Sequence, residues 1–209
     1  MSDANLAARP ARKYLIGLTG NIATGKSTVA KMLGELGAMV IDADALVHEL
    51  QHKGTPVYDA IVAAFGSGTL DQSGEIDRKA LGSVVFADAE KLRALEAIIH
   101  PAVIIEGQKR IVTATTSIVV YEAIKLIEVG RAAMCDAVWV VIAAREVQLE
   151  RLMRDRKMSE AEARQRIEAQ PPQSEKIKWA TVVIDNSGSI EETRRQVKVA
   201  FETIKVNAA

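Results

Sequence analysis

The chain has 209 residues, with 27 basic and 27 acidic side chains and 48% apolar residues. That is one domain of ordinary size, with a real core and room for inserted subdomains. Zero net charge, no long basic run and 4% aromatic residues argue against a nucleic-acid partner. No apolar stretch reaches the length of a membrane span, and the single Cys135 fits a reducing compartment, so no membrane association and a cytoplasmic location are expected.

Residues 1–13 carry small and basic side chains without a signal-type apolar segment and read as a short disordered leader. Tyr14 to Leu18 is a β-rich apolar run. It leads into Gly20-x-x-x-x-Gly25-Lys26-Ser27 and then a helix-period stretch of Val29, Met32, Leu33 and Leu36. Strand, glycine loop and helix start in that order form the P-loop context, in which backbone N–H groups cradle phosphates. Gly20 and Gly25 allow the backbone to curl close to a ligand. Lys26 is placed for the outer phosphates and the Ser27 hydroxyl for Mg²⁺.

Ala38 to Ile41 predicts a second strand, which ends in Asp42-Ala43-Asp44. Phosphoryl transfer to a hydroxyl needs a carboxylate that accepts its proton. Two aspartates two apart in an extended chain face one side. Asp44 is assigned the base and Asp42 a role near the metal, on the substrate side, or as cap of the next helix. About 75 residues then pass before the third strand, more than one crossover needs. Turns are expected at Gly66-Ser-Gly68 and Asp71-Gln-Ser-Gly74, helices over Ile76 to Phe86 and Ala89 to Ile99, and a break at His100-Pro101. His48 and His52 read as surface positions, and no clustered Cys/His set suggests zinc.

Ser117 to Tyr121, Ala137 to Ile142 and Thr181 to Ile184 predict the remaining strands, with Cys135 a buried structural thiol before the fourth. Continuously apolar strands alternating with helices predict an α/β fold with a parallel sheet covered on both faces. Between the last two strands, Arg145 to Ile167 is charge-dense, with Val147, Leu149, Leu152 and Met153 on one side and a capping box at Ser159-x-x-Glu162. Most of its arginines read as a solvated face, and one or two as a lid over phosphates. The fifth strand ends in Asp185-Asn186-Ser187-Gly188, a loop suited to approach an adenine, while the Asn-Lys-x-Asp of guanine recognition is absent.

These motifs resemble the dephospho-coenzyme A kinases over nearly the whole chain after the leader. The resemblance rests on Leu18 to Thr28, Ile41-Asp-Ala-Asp44, Phe65-Gly66, Ile76-Asp77-Arg78, Val85-Phe86 and Leu95-Glu96 followed by His100-Pro101. It continues through Gln148-Leu-x-Arg151-Leu, Arg166-Ile-x-x-Gln170, Lys176 and Asp185-Asn186-x-Gly188. It implies ATP as donor with Mg²⁺, dephospho-CoA as acceptor, and transfer to the acceptor's 3′-hydroxyl. It implies a P-loop NTPase-type sheet of five parallel strands flanked by helices, with core segments 14–44, 112–144 and 176–209, a helical coenzyme-binding insert at 45–111 and a helical lid at 145–175. Gly20, Ala23, Thr24, Gly25, Lys26, Ser27 and Thr28 are implied to hold ATP, with Asn186 and Gly188 beside the adenine. Asp44 is the implied catalytic carboxylate, acting with Lys26 and a lid arginine, Arg151. Arg78 and His100 belong to the acceptor subdomain.

Three departures from the family pattern stand out. Ala23 replaces a small glycine and is expected to fit where its φ is negative. Lys125-Leu-Ile-Glu128 stands where the family has Pro-Leu-Leu-x-Glu, which adds a cation on the acceptor side. Asp155 replaces a lid arginine, with Arg156 as the expected substitute. The alternatives are another P-loop small-molecule kinase, for a nucleoside, nucleotide or sugar, and a non-catalytic nucleotide-binding regulatory module. A monomer or weak oligomer is expected.

Overall fold

The structure, a computed structural model, describes residues 12–208. In chain order the first half holds β1 (Tyr14–Gly20), α1 (Lys26–Glu35), β2 (Met39–Asp42), α2 (Ala43–Leu50), α3 (Pro56–Phe65), α4 (Arg78–Phe86) and α5 (Ala89–Thr113). The second half holds β3 (Ile118–Glu122), β4 (Ala137–Ile142), α6 (Arg145–Arg156), α7 (Glu160–Glu168), α8 (Gln173–Ile177), β5 (Val182–Asp185) and α9 (Ile190–Ala208). The described residues form two compact units, Asp42–Thr113 and the remainder on either side of it. The expected leader lies, for residues 1–11, outside the described residues. Arg12 pairs with Asp136 at 2.5 Å, whose other oxygen accepts from the Leu15 N–H.

The larger unit is a five-stranded sheet in the order β2-β3-β1-β4-β5. β1 pairs in parallel with both β3 and β4, and β4 with β5. From central β1 the chain passes to β2 at one edge, returns with β3 between them, and then adds β4 and β5 on the other side, so the loop after β1 leaves the sheet where ligands bind in open parallel folds. The inner strands β1, β3 and β4 are buried along nearly their whole length because both faces are covered, while the edge strand β5 leaves Val183 40% exposed. Ile16, Leu18, Trp139 and Val141 meet Val29 and Leu33 of α1 and Val197 and Phe201 of α9 in one core. The expected strands are all present, several displaced by one or two residues. Burial pushes the Cys135 thiol up to about 11, so it stays protonated and inert near neutrality. No described helix is long and apolar enough to cross a membrane.

The smaller unit is helical, around Leu46, Val57, Ile61, Leu81, Val85, Ile99 and Val103. Thr55 caps α3, with Pro56 in its first turn. The helix expected from Ile76 begins instead at Arg78. Asp77 accepts from the N–H groups of Lys79 at 2.8 Å and Ala80 at 3.1 Å, and Ile76 bridges Leu70 in an antiparallel pair. The break expected at His100-Pro101 is also corrected, since α5 runs unbroken for 25 residues with Pro101 inside. A mid-helix proline removes one hydrogen bond and costs roughly 3 kcal/mol. Ile99 and Val103, one turn apart and 8% and 9% exposed, bury on one stripe of α5, and that packing outweighs the loss.

Candidate active site

Gly20 and Gly25 are required for separate reasons. A Cβ on Gly20 would meet the Val141 carbonyl at 2.5 Å. Gly25 has φ +87 and a Cβ there would lie 2.0 Å from Nδ2 of Asn186. Between them the loop is held by its own Thr24 and by side chains from distant segments. Thr24 Oγ1 donates to the Asn21 carbonyl at 2.9 Å, and Gln148 Nε2 to that of Ile22 at 2.6 Å. Gln170 Oε1 accepts from Ile22 N–H at 2.7 Å. Arg151 Nη1 donates to the carbonyls of Ala23 and Thr24, each at 3.2 Å, and Asn186 Nδ2 to Thr24 at 2.8 Å. With these carbonyls engaged on one side, the unpaired N–H groups at the start of α1 are left for an anion.

Lys26 Nζ donates to Glu122 Oε1 at 2.5 Å, and Ser27 Oγ donates to the same oxygen at 3.0 Å. Glu122 ends β3 and is 2% exposed. Sequence reasoning ended that strand at Tyr121 and missed Glu122. The signal was there: an apolar strand closing on an acid beside a P-loop, the pattern that singled out Asp42.

Arg151 also donates from Nη2 to the Asn186 carbonyl at 2.8 Å, so it ties α6 to both the P-loop and the loop after β5. Asn186 is 3% exposed, and its Oδ1 accepts from Thr193 at 2.8 Å. Ala23, Gly25, Thr28, Arg151, Arg156 and Asn186 are among the residues lining a cleft of ≈ 350 Å³, and Gly188 is exposed outside that lining. Arg154 is engaged with Asp155 at 2.7 Å and Glu150 at 3.1 Å. Its hydrogen bond holds the Asp155 carboxyl below the usual range. Arg156 lines the cleft unpaired among the described residues. The expected apolar side of this segment is corrected at Met153, which is 40% exposed, while Gln148 is 2% exposed because it serves the P-loop.

In the smaller unit, Asp42 caps α2, its Oδ1 accepting from Asp44 N–H at 2.9 Å and Ala45 N–H at 3.0 Å. The expected extended Asp42-Ala43-Asp44 is therefore replaced by a cap followed by a helix, and the two carboxylates do not share a face as they would in a strand. Asp44 is exposed in the first turn of α2, where the helix dipole favours a carboxylate. Arg78 opens α4 and meets His48, which is half-buried rather than a plain surface position. His100 is exposed on α5.

The dephospho-CoA kinase family model matches residues 14–192. A dephospho-CoA kinase of Aquifex aeolicus is 50% identical over 192 residues, spanning 90% of this chain and 96% of that relative. This chain belongs to the dephospho-CoA kinase family. The crystal structure of TT1252 from Thermus thermophilus is 34% identical with a TM-score of 0.81, over 92% of this chain and 98% of that one. A dephospho-CoA kinase structure from Campylobacter jejuni is 28% identical with a TM-score of 0.69, over 94% of this chain and all of that one (100%).

Two of the departures from the family pattern now have a local account. The stretch lacking the family's proline is pinned by Lys176, 4% exposed, whose Nζ donates to the Ile124 carbonyl at 2.8 Å and to Glu128 at 2.7 Å. Thr19 Oγ1 donates to the same carbonyl at 3.0 Å, so the backbone is held without a proline. Lys125 next to it is exposed. Ala23 departs from the condition set for it: its φ is +58, in the left-handed region. A non-glycine residue there costs of order 1–2 kcal/mol, partly offset by the lower unfolded-state entropy of alanine. Ala23→Gly is expected to raise stability by up to ~1 kcal/mol, a melting midpoint higher by about 2–4 °C. A lower midpoint by calorimetry would show that Ala23 is not strained.

Proposed function

We infer that this chain is an ATP-dependent kinase that phosphorylates the ribose 3′-hydroxyl of dephospho-CoA, giving coenzyme A and ADP, the last step of coenzyme A synthesis. The family match over residues 14–192, which contains the complete P-loop, carries this reading. Lys26 is assigned to the outer phosphates, the N–H groups of residues 23–28 to the phosphate chain, and Arg151 and Asn186 to shaping the nucleotide site. Arg156 is the cation of that cleft left for phosphate.

Ser27 and Glu122 fit Mg²⁺. They are two hard oxygen ligands on a shared edge, and Mg²⁺ takes one or two protein ligands and completes its shell with phosphates and water. Among the described residues no group of three or more His, Cys, Asp or Glu could hold a metal by itself, consistent with a metal that arrives with nucleotide. When bound it would offset the charge on the β and γ phosphates.

On the acceptor side, Asp44 takes the proton as the 3′-oxygen bonds to the γ-phosphorus and the bond to ADP breaks. Asp42 supports this by starting α2. Arg78, His100 and Lys125 are assigned to the acceptor's phosphates. Residues 45–111 are the acceptor-binding insert and 145–175 the lid, and a monomer or weak oligomer in the cytoplasm completes the proposal. Within the lid, Gln148 and Arg151 hold α6 on the P-loop side, so closure is assigned to α7. Hydrogen exchange is expected to slow in α7 on adding ATP, while α6 is already protected; equal protection of both without nucleotide would make the segment rigid.

The reading is tested by ADP release with Mg²⁺, ATP and a panel of acceptors. Stimulation by dephospho-CoA above any nucleoside, nucleotide or sugar is expected, and no stimulation by it overturns the assignment.

A further inference from the structure

His48 lies one turn after Asp44 on α2, so the two share a face of the helix. Its Nε2 is 3.2 Å from Nη1 of Arg78. A guanidinium only donates, so Nε2 must offer a lone pair and the ring proton must sit on Nδ1. Nδ1 is itself buried without a hydrogen-bond partner. A buried donor left unsatisfied is unfavourable, yet the ring keeps this arrangement, and its polar contact goes to Arg78.

We propose that neutral His48 is a positioning residue for the acceptor, holding the Arg78 guanidinium in the orientation that meets the pyrophosphate of dephospho-CoA. The inference rests on the assignment of Arg78 to the acceptor. It adds that one hydrogen bond from a neutral imidazole selects among the rotamers of a long, otherwise mobile side chain. The hollow beside the pair, ≈ 150 Å³, is lined by His48, Gln51, His52, Glu75, Ile76 and Arg78.

The surroundings favour the neutral ring. Burial, then the Arg78 charge, lowers the pKa of His48, and His52 adds to this; Asp44 and Asp42 oppose it. Glu75 accepts from the Lys53 N–H at 3.1 Å and lies 3.4 Å from the His52 ring. On α5, which packs against α2, Arg110 is engaged by Glu49 and Glu106. Protonation of His48 would turn Nε2 into a second donor facing Nη1 and add a like charge, so the hold on Arg78 is lost as the pH falls.

The test is steady-state kinetics with ATP, Mg²⁺ and dephospho-CoA, from about pH 8 down to about pH 5.5, on His48→Ala, His48→Gln, Arg78→Ala and the His48→Ala/Arg78→Ala pair. At the upper pH, His48→Ala is expected to raise KM for dephospho-CoA roughly tenfold, leaving kcat and the KM for ATP in place. His48→Gln, whose Oε1 accepts from the same guanidinium, recovers most of that KM. The wild-type KM climbs on acidification below the ordinary imidazole range, and that of His48→Gln does not. His48→Ala adds nothing once Arg78 is alanine. An unchanged KM in His48→Ala, or parallel pH profiles for wild type and His48→Gln, overturns the inference. So does a lower melting midpoint in His48→Ala with no recovery in His48→Gln, which would make the role structural. An unchanged KM in Arg78→Ala overturns instead the assignment of Arg78 to the acceptor.

Discussion

Asp44→Asn is expected to lower kcat by about 10²–10⁴-fold, the usual contribution of a positioned general base. The affinity for ATP should remain as in the wild type, because nucleotide is held by the P-loop and Asp44 lies in the other unit of the chain. Asp44 is exposed and its neighbour does the capping, so the melting midpoint should hardly move. Asp42→Ala is the contrasting variant. It removes the acceptor for two N–H groups and should lower stability by about 1 kcal/mol, with a smaller loss of rate. Rapid-quench measurement of the phosphoryl-transfer step, with ATP binding measured calorimetrically, separates the two. A near-normal rate in Asp44→Asn would remove Asp44 as the base, and a collapse in Asp42→Ala alone would transfer that role.

Lys26→Ala is expected to reduce kcat by roughly 10²–10³-fold, the usual loss when one preorganised donor to a developing charge is removed, and to weaken ATP binding with it. It should also destabilise the nucleotide-free protein. Lys26 and Glu122 have side chains only 10% and 3% exposed, so truncating the lysine leaves a buried carboxylate with Ser27 as its remaining partner. Breaking such a pair costs about 3 kcal/mol, read as a lower urea midpoint. Adding Glu122→Gln to Lys26→Ala removes the stranded charge and should restore most of the stability but none of the activity. If the single variant unfolds at the wild-type urea concentration, the Lys26–Glu122 pair is not the buried partnership described above.

Local chemistry was readable wherever the physics is local. Gly20 and Gly25 at P-loop spacing, the apolar runs of the five strands, and the Ser159–Glu162 capping box all depend on neighbours within a few residues. The outcomes that differed depend on contacts between residues far apart in the chain. Pro101 reads as a helix end, and only the burial of Ile99 and Val103 carries α5 past it. The spacing of Asp42 and Asp44 suggests two carboxylates side by side; the start of α2 turns one into a cap. Gln148 and Gln170 enter the sequence reading only as parts of the family motifs and Arg151 as a lid arginine, yet the two glutamines are hydrogen-bonded to Ile22 and the arginine to Ala23 and Thr24.

By itself, then, the sequence determined the fold class, the phosphate-binding loop and the family, because hydrophobic period, glycine placement and motif spacing are written along one chain. The tertiary structure alone decided which partners those residues take. Glu122 reaches Lys26 across 96 residues of sequence, and Arg151 braces a loop 128 residues away. Nothing in the local sequence encodes such pairings; they follow from the burial that brings β1, β3, α6 and the loop after β5 together.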